Sequence, residues 1–314
     1  MSSSRLVWVR TSIWIAFLVL STAALALLPH MGYSLAFWFN LLLWIAMASG
    51  LNLMAGFTGY LPFGYVAFYG IGAYAAAISV KMLGLPIWAG LVASLLAGAA
   101  LSLLFARTMV LRGIYFSIVS LALAVICRLL IANLPDSVAG GSFGIPLGIS
   151  NPLGSYYLML AVALATLLIV TWLAQSRLGL ALLAIRDDPD TAEAMGVNIG
   201  RARLKAWVLS SIIASVTGAI EAWHTSIVDT ETAFNLLIST KAIIYAVAGG
   251  LGTVIGPVVG VVTMLIVDDL IWQNFPILNV FLLGLVIVLL MLFLPSGIVG
   301  TLIRRKPALR RVLF

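Results

Sequence analysis

The sequence predicts an all-α integral membrane protein of about ten transmembrane helices, eight at the fewest, forming one domain over residues 1–314. Three observations carry that prediction. Hydrophobic residues make up 63% of the chain, charged residues only 9%, and mean hydropathy is +1.18, whereas a water-soluble globule carries about a quarter charged residues. Apolar runs of the roughly 20 residues needed to cross the hydrocarbon core recur along nearly the whole length. Lys and Arg, finally, gather in alternate loops, so the formal charge of +7 reads as membrane topology rather than as a nucleic-acid surface.

At the start, Arg5 and Arg10 precede an apolar run from Ile13 to Leu28. A secretory signal has the same form, and Ala24-Leu25-Ala26 resembles a cleavage site, but more spans follow at once and an uncleaved first span is expected. Runs of about 20 residues then lie near 35–54, 60–80, 85–106, 113–134, 155–175 and 207–227. The stretch 235–295 holds three more, near 235–250, 252–267 and 277–295. With both termini cytoplasmic, the inner loops fall near 55–59, 107–112, 176–206 and 250. Of the 17 Lys and Arg residues, only Lys81, Arg128 and Lys241 then lie elsewhere. Eight spans with two re-entrant segments keep the same parity.

Two glycine-rich stretches interrupt the runs. One passes from Gly56-Phe57-Thr58-Gly59 through Pro62, Gly64 and Gly70 to Gly72; the other from Gly249-Gly250-Leu251-Gly252 through Gly256-Pro257 to Gly260. Clustered glycine and proline permit a broken helix, and glycines four apart permit close helix packing. The stretches occupy equivalent places if spans one to five and six to ten form two halves, which an odd span number makes inverted. Broken helices at matching positions of inverted halves point to a transport path.

Residues 176–206 are the one long polar stretch, holding a third of the chain's Asp, Glu, Lys and Arg. Asp188 suits an N-cap, Pro189 the first helical position, and Asp190 and Glu193 the positive end of a helix dipole. Gly196 suits the left-handed stop. Leu180, Leu183 and Ala184 recur at helical spacing, so a second short helix precedes that cap. The segment reads as a folded knob at the membrane surface, built to touch another protein or, alternatively, as a solvated loop kept out of the bilayer by its charges.

Ionisable residues inside spans are expensive and mark partners or aqueous paths. They are Arg128, Glu221, His224 and Lys241, all toward the outer side; Glu221 and His224 share a helix face by their i, i+3 spacing. Asp229 and Glu231 face outward, and the glycine-rich stretch 139–146 suits contact with an extracytoplasmic partner or cover for a pore. Cys127, the lone cysteine, excludes an internal disulfide and a zinc cluster. No GxxxxGK[ST] phosphate loop surrounds any lysine, and His30 and His224 are the only histidines. Neither a nucleotide site nor a catalytic grouping is legible, so the expectation is a pore component without bound cofactor or metal.

The chain resembles the permease subunits of bacterial branched-chain amino-acid ABC importers, of the LivM type. The residues that carry the resemblance are Gly50-Leu-Asn-Leu-Met-Ala-Gly56 with Gly64-Tyr-Val-Ala-Phe-Tyr-Gly-Ile-Gly-Ala-Tyr74; Leu111-Arg-Gly-Ile-Tyr-Phe116; Gly140-Gly-Ser-Phe-Gly-Ile145; Arg177-Leu-Gly179; and Gly249-Gly-Leu-Gly-Thr-Val-Ile-Gly-Pro257. Ala184-Ile-Arg-Asp187 and Ala192-Glu-Ala-Met-Gly196 complete them.

The resemblance implies that the central loop is the coupling segment received by a cytoplasmic ATPase, with Ala184, Ile185, Arg186, Asp187, Asp188, Pro189, Glu193, Ala194, Met195 and Gly196 in contact. It also implies a second, LivH-like permease, two ATPase subunits that bind the ATP and Mg, a periplasmic binding protein, and a place in the bacterial inner membrane. Asn52, Gly64, Tyr65, Gly250 and Gly252, in the glycine-rich motifs, join the four ionisable residues as candidates lining a translocation path.

Two departures bear on cargo. Val125 and Ser239-Thr240-Lys241 stand where the family commonly carries glutamates. Loss of acidic groups favours a small carboxylate beside the hydrophobic amino acid that the resemblance implies. An ion-coupled secondary transporter of a small organic acid, with Glu221 as its coupling carboxylate, is the alternative class.

Overall fold

The computed structural model describes residues 34–305, apart from 112, 142–143, 149–150, 276–277 and 294–295. Helix α1, Leu35–Thr58, stops at Gly59, whose φ of 76° few other residues tolerate. The chain is non-helical to Tyr65 and resumes as α2, Val66–Lys81. Helix α3, Ile87–Leu104, follows Pro86, and a 3₁₀ turn, Ala106–Val110, leads to α4, Ile114–Ala132. A short α5, Asp136–Ala139, and strand β1, Ile145–Pro146, precede α6, Pro152–Gln175.

Polar caps then start nearly every element. Asn151 accepts from the Gly154 N–H at the head of α6, and Ser176 from the Gly179 N–H at the head of α7, Arg177–Asp187. Asp188 caps α8, Pro189–Ala194, and Asn198 caps α9, Ile199–Thr225. Strand β2 is Ile227–Val228, and Asp229 caps α10, Thr230–Ala233. Asn235 caps α11, Leu236–Gly249, after which come α12, Gly256–Asn274, α13, Asn279–Phe293, and α14, Gly297–Arg305.

Among the described residues six helical segments are long and apolar enough to span a membrane: Leu35–Thr58, Ile87–Leu104, Ile114–Ala132, Pro152–Gln175, Ile199–Thr225 and Thr230–Gly249, with Val66–Lys81 shorter. The expected first span at 13–28 and the basic residues from 306 onward lie outside the described residues. Two expected boundaries are corrected. The span placed at 60–80 is helical only from Val66, because Gly59 has already turned the chain. The span placed at 252–267 runs from Gly256 to Asn274, so its last two turns add Asp268, Asp269, Gln273 and Asn274 to the helix.

Helices α1 and α9 form the centre. Helix α1 packs on α6, α9, α11 and α12, while α9 packs on α2 and α3 as well. Each half's middle pair, α2–α3 or α11–α12, thus lies against the long helix of the other half. That reciprocal packing matches two related halves.

Contact between α9 and its neighbours is at backbone distance. A Cβ at Gly72 would collide with the Ser215 carbonyl, and one at Gly218 with the Tyr69 carbonyl. Ser215 and Ser210 donate across the gap to the carbonyls of Phe68 and Gly50, both at 2.8 Å. Small residues and hydroxyls hold helices together where lipid offers no hydrophobic drive.

Candidate functional site: a polar knob seated on two glycine turns

The polar segment 176–206 folds as the caps and spacing predict. Helix α7 buries Leu182 and Ile185 against α1, α6 and α9 and leaves Leu180 (64% exposed) outward, and Met195, at the end of α8, is 80% exposed. Asp187, Asp190 and Glu193 are exposed around them. Asp188 accepts from the N–H groups of Asp190 and Thr191 and from the Thr191 hydroxyl at 2.6 Å. The Thr191 bonds, followed by that of Asp190, hold its carboxyl below the ordinary carboxylate range. Gly196, at φ 87°, ends the turn as expected. The knob thus has two buried anchors and a mixed apolar and acidic outer face.

The knob sits on both glycine-rich stretches. Arg186 Nη1 donates to the Gly56 carbonyl at 2.6 Å, and a Cβ at Gly252 would run into the same nitrogen. Asn52, fully buried, closes the arrangement: its Oδ1 accepts from the Gly252 N–H and its Nδ2 donates to the Thr253 carbonyl, both at 2.9 Å. Gly252, at φ 79°, exposes its N–H to that amide because no side chain is in the way. On the other flank, Arg203 is 2% exposed, lies 4.0 Å over the Tyr60 ring and reaches the Met109 carbonyl at 3.5 Å. The four segments expected at one membrane face, around 56, 109, 186 and 252, are therefore in mutual contact at one end.

The first interruption is a true break. Its freed backbone groups are met by serines: Gly64 N–H by Ser120 Oγ (3.3 Å), Val66 N–H by Ser239 Oγ (2.7 Å), and the Leu61 carbonyl by Ser117 Oγ (2.8 Å). Non-helical backbone at membrane depth needs such partners. Gly64 presses on the Ser120 carbonyl, and Tyr65, fully buried, donates to the Ser210 carbonyl at 2.9 Å. The second interruption, like the first, separates two helices: Gly250, at φ 123°, and Gly252 reverse the chain between α11 and α12.

At the opposite end the intramembrane charges find partners that spacing did not reveal. Arg128 faces Glu231 at 3.8 Å, and Lys241 bonds Asp268 at 2.8 Å. Lys241 is therefore neutralised in place. Asp268 escaped notice because the span was ended one residue before it. His224 Nδ1 pairs with Ser155 Oγ at 2.8 Å and its ring stacks on Phe39 at 3.7 Å. Glu221 does not join it: among the described residues no hydrogen bond or ion pair links the two, since the imidazole turns toward α6 and α1. Strands β1 and β2 pair antiparallel, Ile145 with Val228 and Pro146 with Ile227, so the glycine-rich loop is tied to the chain leaving α9. Cys127 is buried and free. No group of His, Cys, Asp and Glu suited to a metal occurs among the described residues.

Broken and reversed apolar helices, with a hydrophilic insert locked to their interruptions, define a multi-pass membrane permease. The chain belongs to the family described as the branched-chain amino acid transport system / permease component, whose family model matches residues 33–291. It is similar to the high-affinity branched-chain amino acid transport system permease protein LivM of Escherichia coli (strain K12), 28% identical over 289 residues, covering 82% of this chain and 68% of the relative. The protein of the same name from Salmonella typhimurium (strain LT2) is 27% identical over 289 residues, with the same shares covered.

Proposed function

We propose that this chain is the non-catalytic pore subunit of an ATP-driven importer in the bacterial inner membrane, and that α7–α8 is the segment a separate ATPase grips. The observation that carries the reading is the seat of the knob: its outer face is free and partly apolar, while its inner face holds α1 and the α11–α12 turn through Arg186. A push on such a knob moves helices of both halves. The family and both LivM relatives support the importer class and disfavour the ion-coupled alternative.

The further components are a LivH-like second permease, two ATPase subunits carrying ATP and Mg, and a periplasmic binding protein. Both termini are cytoplasmic in this reading, on the side of the knob. The cargo is a branched-chain amino acid or a related small carboxylate, with the amino acid first, because Asp268, 2.8 Å from Lys241, supplies an acidic group beside the position where the family's glutamate is missing. Asn52, Gly64, Tyr65, Gly250 and Gly252 shape the path from its walls, and Arg128, Glu221 and His224 stand nearer its outer mouth.

The test is reconstitution of the four components in vesicles. Uptake should follow ATP and ignore an imposed ion gradient, and Met195→Glu, on the exposed tip, should abolish co-purification of the ATPase. Uptake driven by an ion gradient without ATPase would overturn the reading.

A further inference from the structure

We propose that Arg186 is a positioning residue: the pin through which a displacement of the α7–α8 knob reaches α1 and the α11–α12 turn together. The inference rests on the coupling reading above and names the residue that does the coupling.

Three features single it out. Gly56 lies in the last turn of α1, where carbonyls lack partners within the helix. That turn carries no basic residue of its own, so the charge favoured at a helix C-terminus arrives from another element, with Arg186 Nη1 bonding the Gly56 carbonyl at 2.6 Å. The same guanidinium rests on Gly252, where a Cβ would overlap it, and its stem lies 3.4 Å from where a Cβ on Gly59 would sit. A planar guanidinium can donate at its edge and lie flat on a glycine at once, which a lysine ammonium cannot.

The third side of the triangle is Asn52, whose two hydrogen bonds join α1 to Gly252 and Thr253. Gly56 and Gly252 therefore stay together when the knob moves, and Arg186 hands the motion to both. The backbone of Arg186 is itself anchored, since the preceding Ile185 is 1% exposed.

A residue that only stabilised the end of α1 would give a different phenotype from one that transmits force. The complete transporter in proteoliposomes separates them, with ATP hydrolysis, uptake and ATPase retention measured for Arg186→Ala, Arg186→Lys and Arg186→Gln. Although Arg186 was expected among the ATPase contacts, its guanidinium is bonded inward to Gly56 and lies against Gly252, so we expect Arg186→Ala to retain the ATPase and hydrolyse ATP while cargo moved per ATP falls about tenfold, within the usual range of coupling energies. Arg186→Lys, which keeps the bond to Gly56 but loses the contact with Gly252, should fall between it and the unmodified protein.

Unchanged cargo per ATP in Arg186→Ala overturns the proposal. So does a loss of uptake that only tracks loss of the ATPase, which would make Arg186 a docking residue. If Arg186→Ala does not elute as a single species, the ratio is read from Arg186→Gln, with the same two outcomes. Failure of the unmodified permease to retain any ATPase would instead sink the coupling reading, and is seen before any variant is made.

Discussion

The two ends of the bundle are held by different chemistry. At the knob end, Asn52 and Arg186 bond main-chain groups of helix termini and glycine turns, at 2.6–2.9 Å. At the other end, side chain meets side chain: Lys241 with Asp268, His224 with Ser155, and Arg128 with Glu231, whose partners are 48% and 85% exposed. Main-chain partners cannot rotate away, so the knob end is geometrically strict. Side-chain pairs can part and re-form, so the far end tolerates rearrangement. Under the proposed coupling, the first end would receive force and the second would open.

The sharpest way to break that contrast is at the strict end. Gly249 has no room, because a Cβ there would meet the Gly256 carbonyl in the facing helix. Gly249→Ala should therefore cost ~3 kcal/mol, at the upper end of overpacking effects, seen as a fall in the unfolding temperature of detergent-solubilised protein. Asn52→Leu keeps the branching and heavy-atom count of the side chain but strands the Gly252 N–H and the Thr253 carbonyl, for about 2–3 kcal/mol. A loss below about 0.5 kcal/mol in either variant would remove the claim of strictness.

At the tolerant end the effects should shrink. Lys241→Met leaves Asp268 unpaired, but Lys241 is a third exposed, so the cost should be about 1–2 kcal/mol, below that of a fully buried pair. The double variant Lys241→Met with Asp268→Leu should recover most of it, as a double-mutant cycle on thermal unfolding will read. Glu231→Gln, at an exposed pair with a 3.8 Å separation, should change stability by less than about 0.5 kcal/mol.

The most local effect is that of pH on the knob. The Asp188 carboxyl titrates below its unfolded value, so its contribution to the α8 cap is complete above about 3.9 and is lost as pH falls through the folded value. Protease cleavage within 187–196 should therefore increase in that acid window, and Asp188→Asn should flatten the response. An acid response unchanged in Asp188→Asn would assign it elsewhere.

Much of the fold was legible because its signals are local. The cap at Asp188, the proline at 189 and the stop at Gly196 lie within nine residues of one another, and each acts on its own neighbours. The candidate site was legible only in pieces. Asn52 and Arg186 were singled out, yet nothing in the spacing ties Asn52 to Gly252, 200 positions away, or Arg186 to Gly56, 130 away. Asp268 lies just beyond the expected span end at 267, and the spacing that puts Glu221 and His224 on one face does not reveal that the imidazole pairs with Ser155.

By itself the sequence determined which segments are apolar enough to cross a membrane, where the polar knob begins and ends, and which loops share a face, since composition, caps and charge parity act over a few residues. The tertiary structure alone decided that four of those loops meet, that the intramembrane cations are paired, and that one guanidinium touches two glycine turns. Those facts depend on helices approaching to backbone distance. The glycines of the sequence permit such an approach without saying which partner arrives.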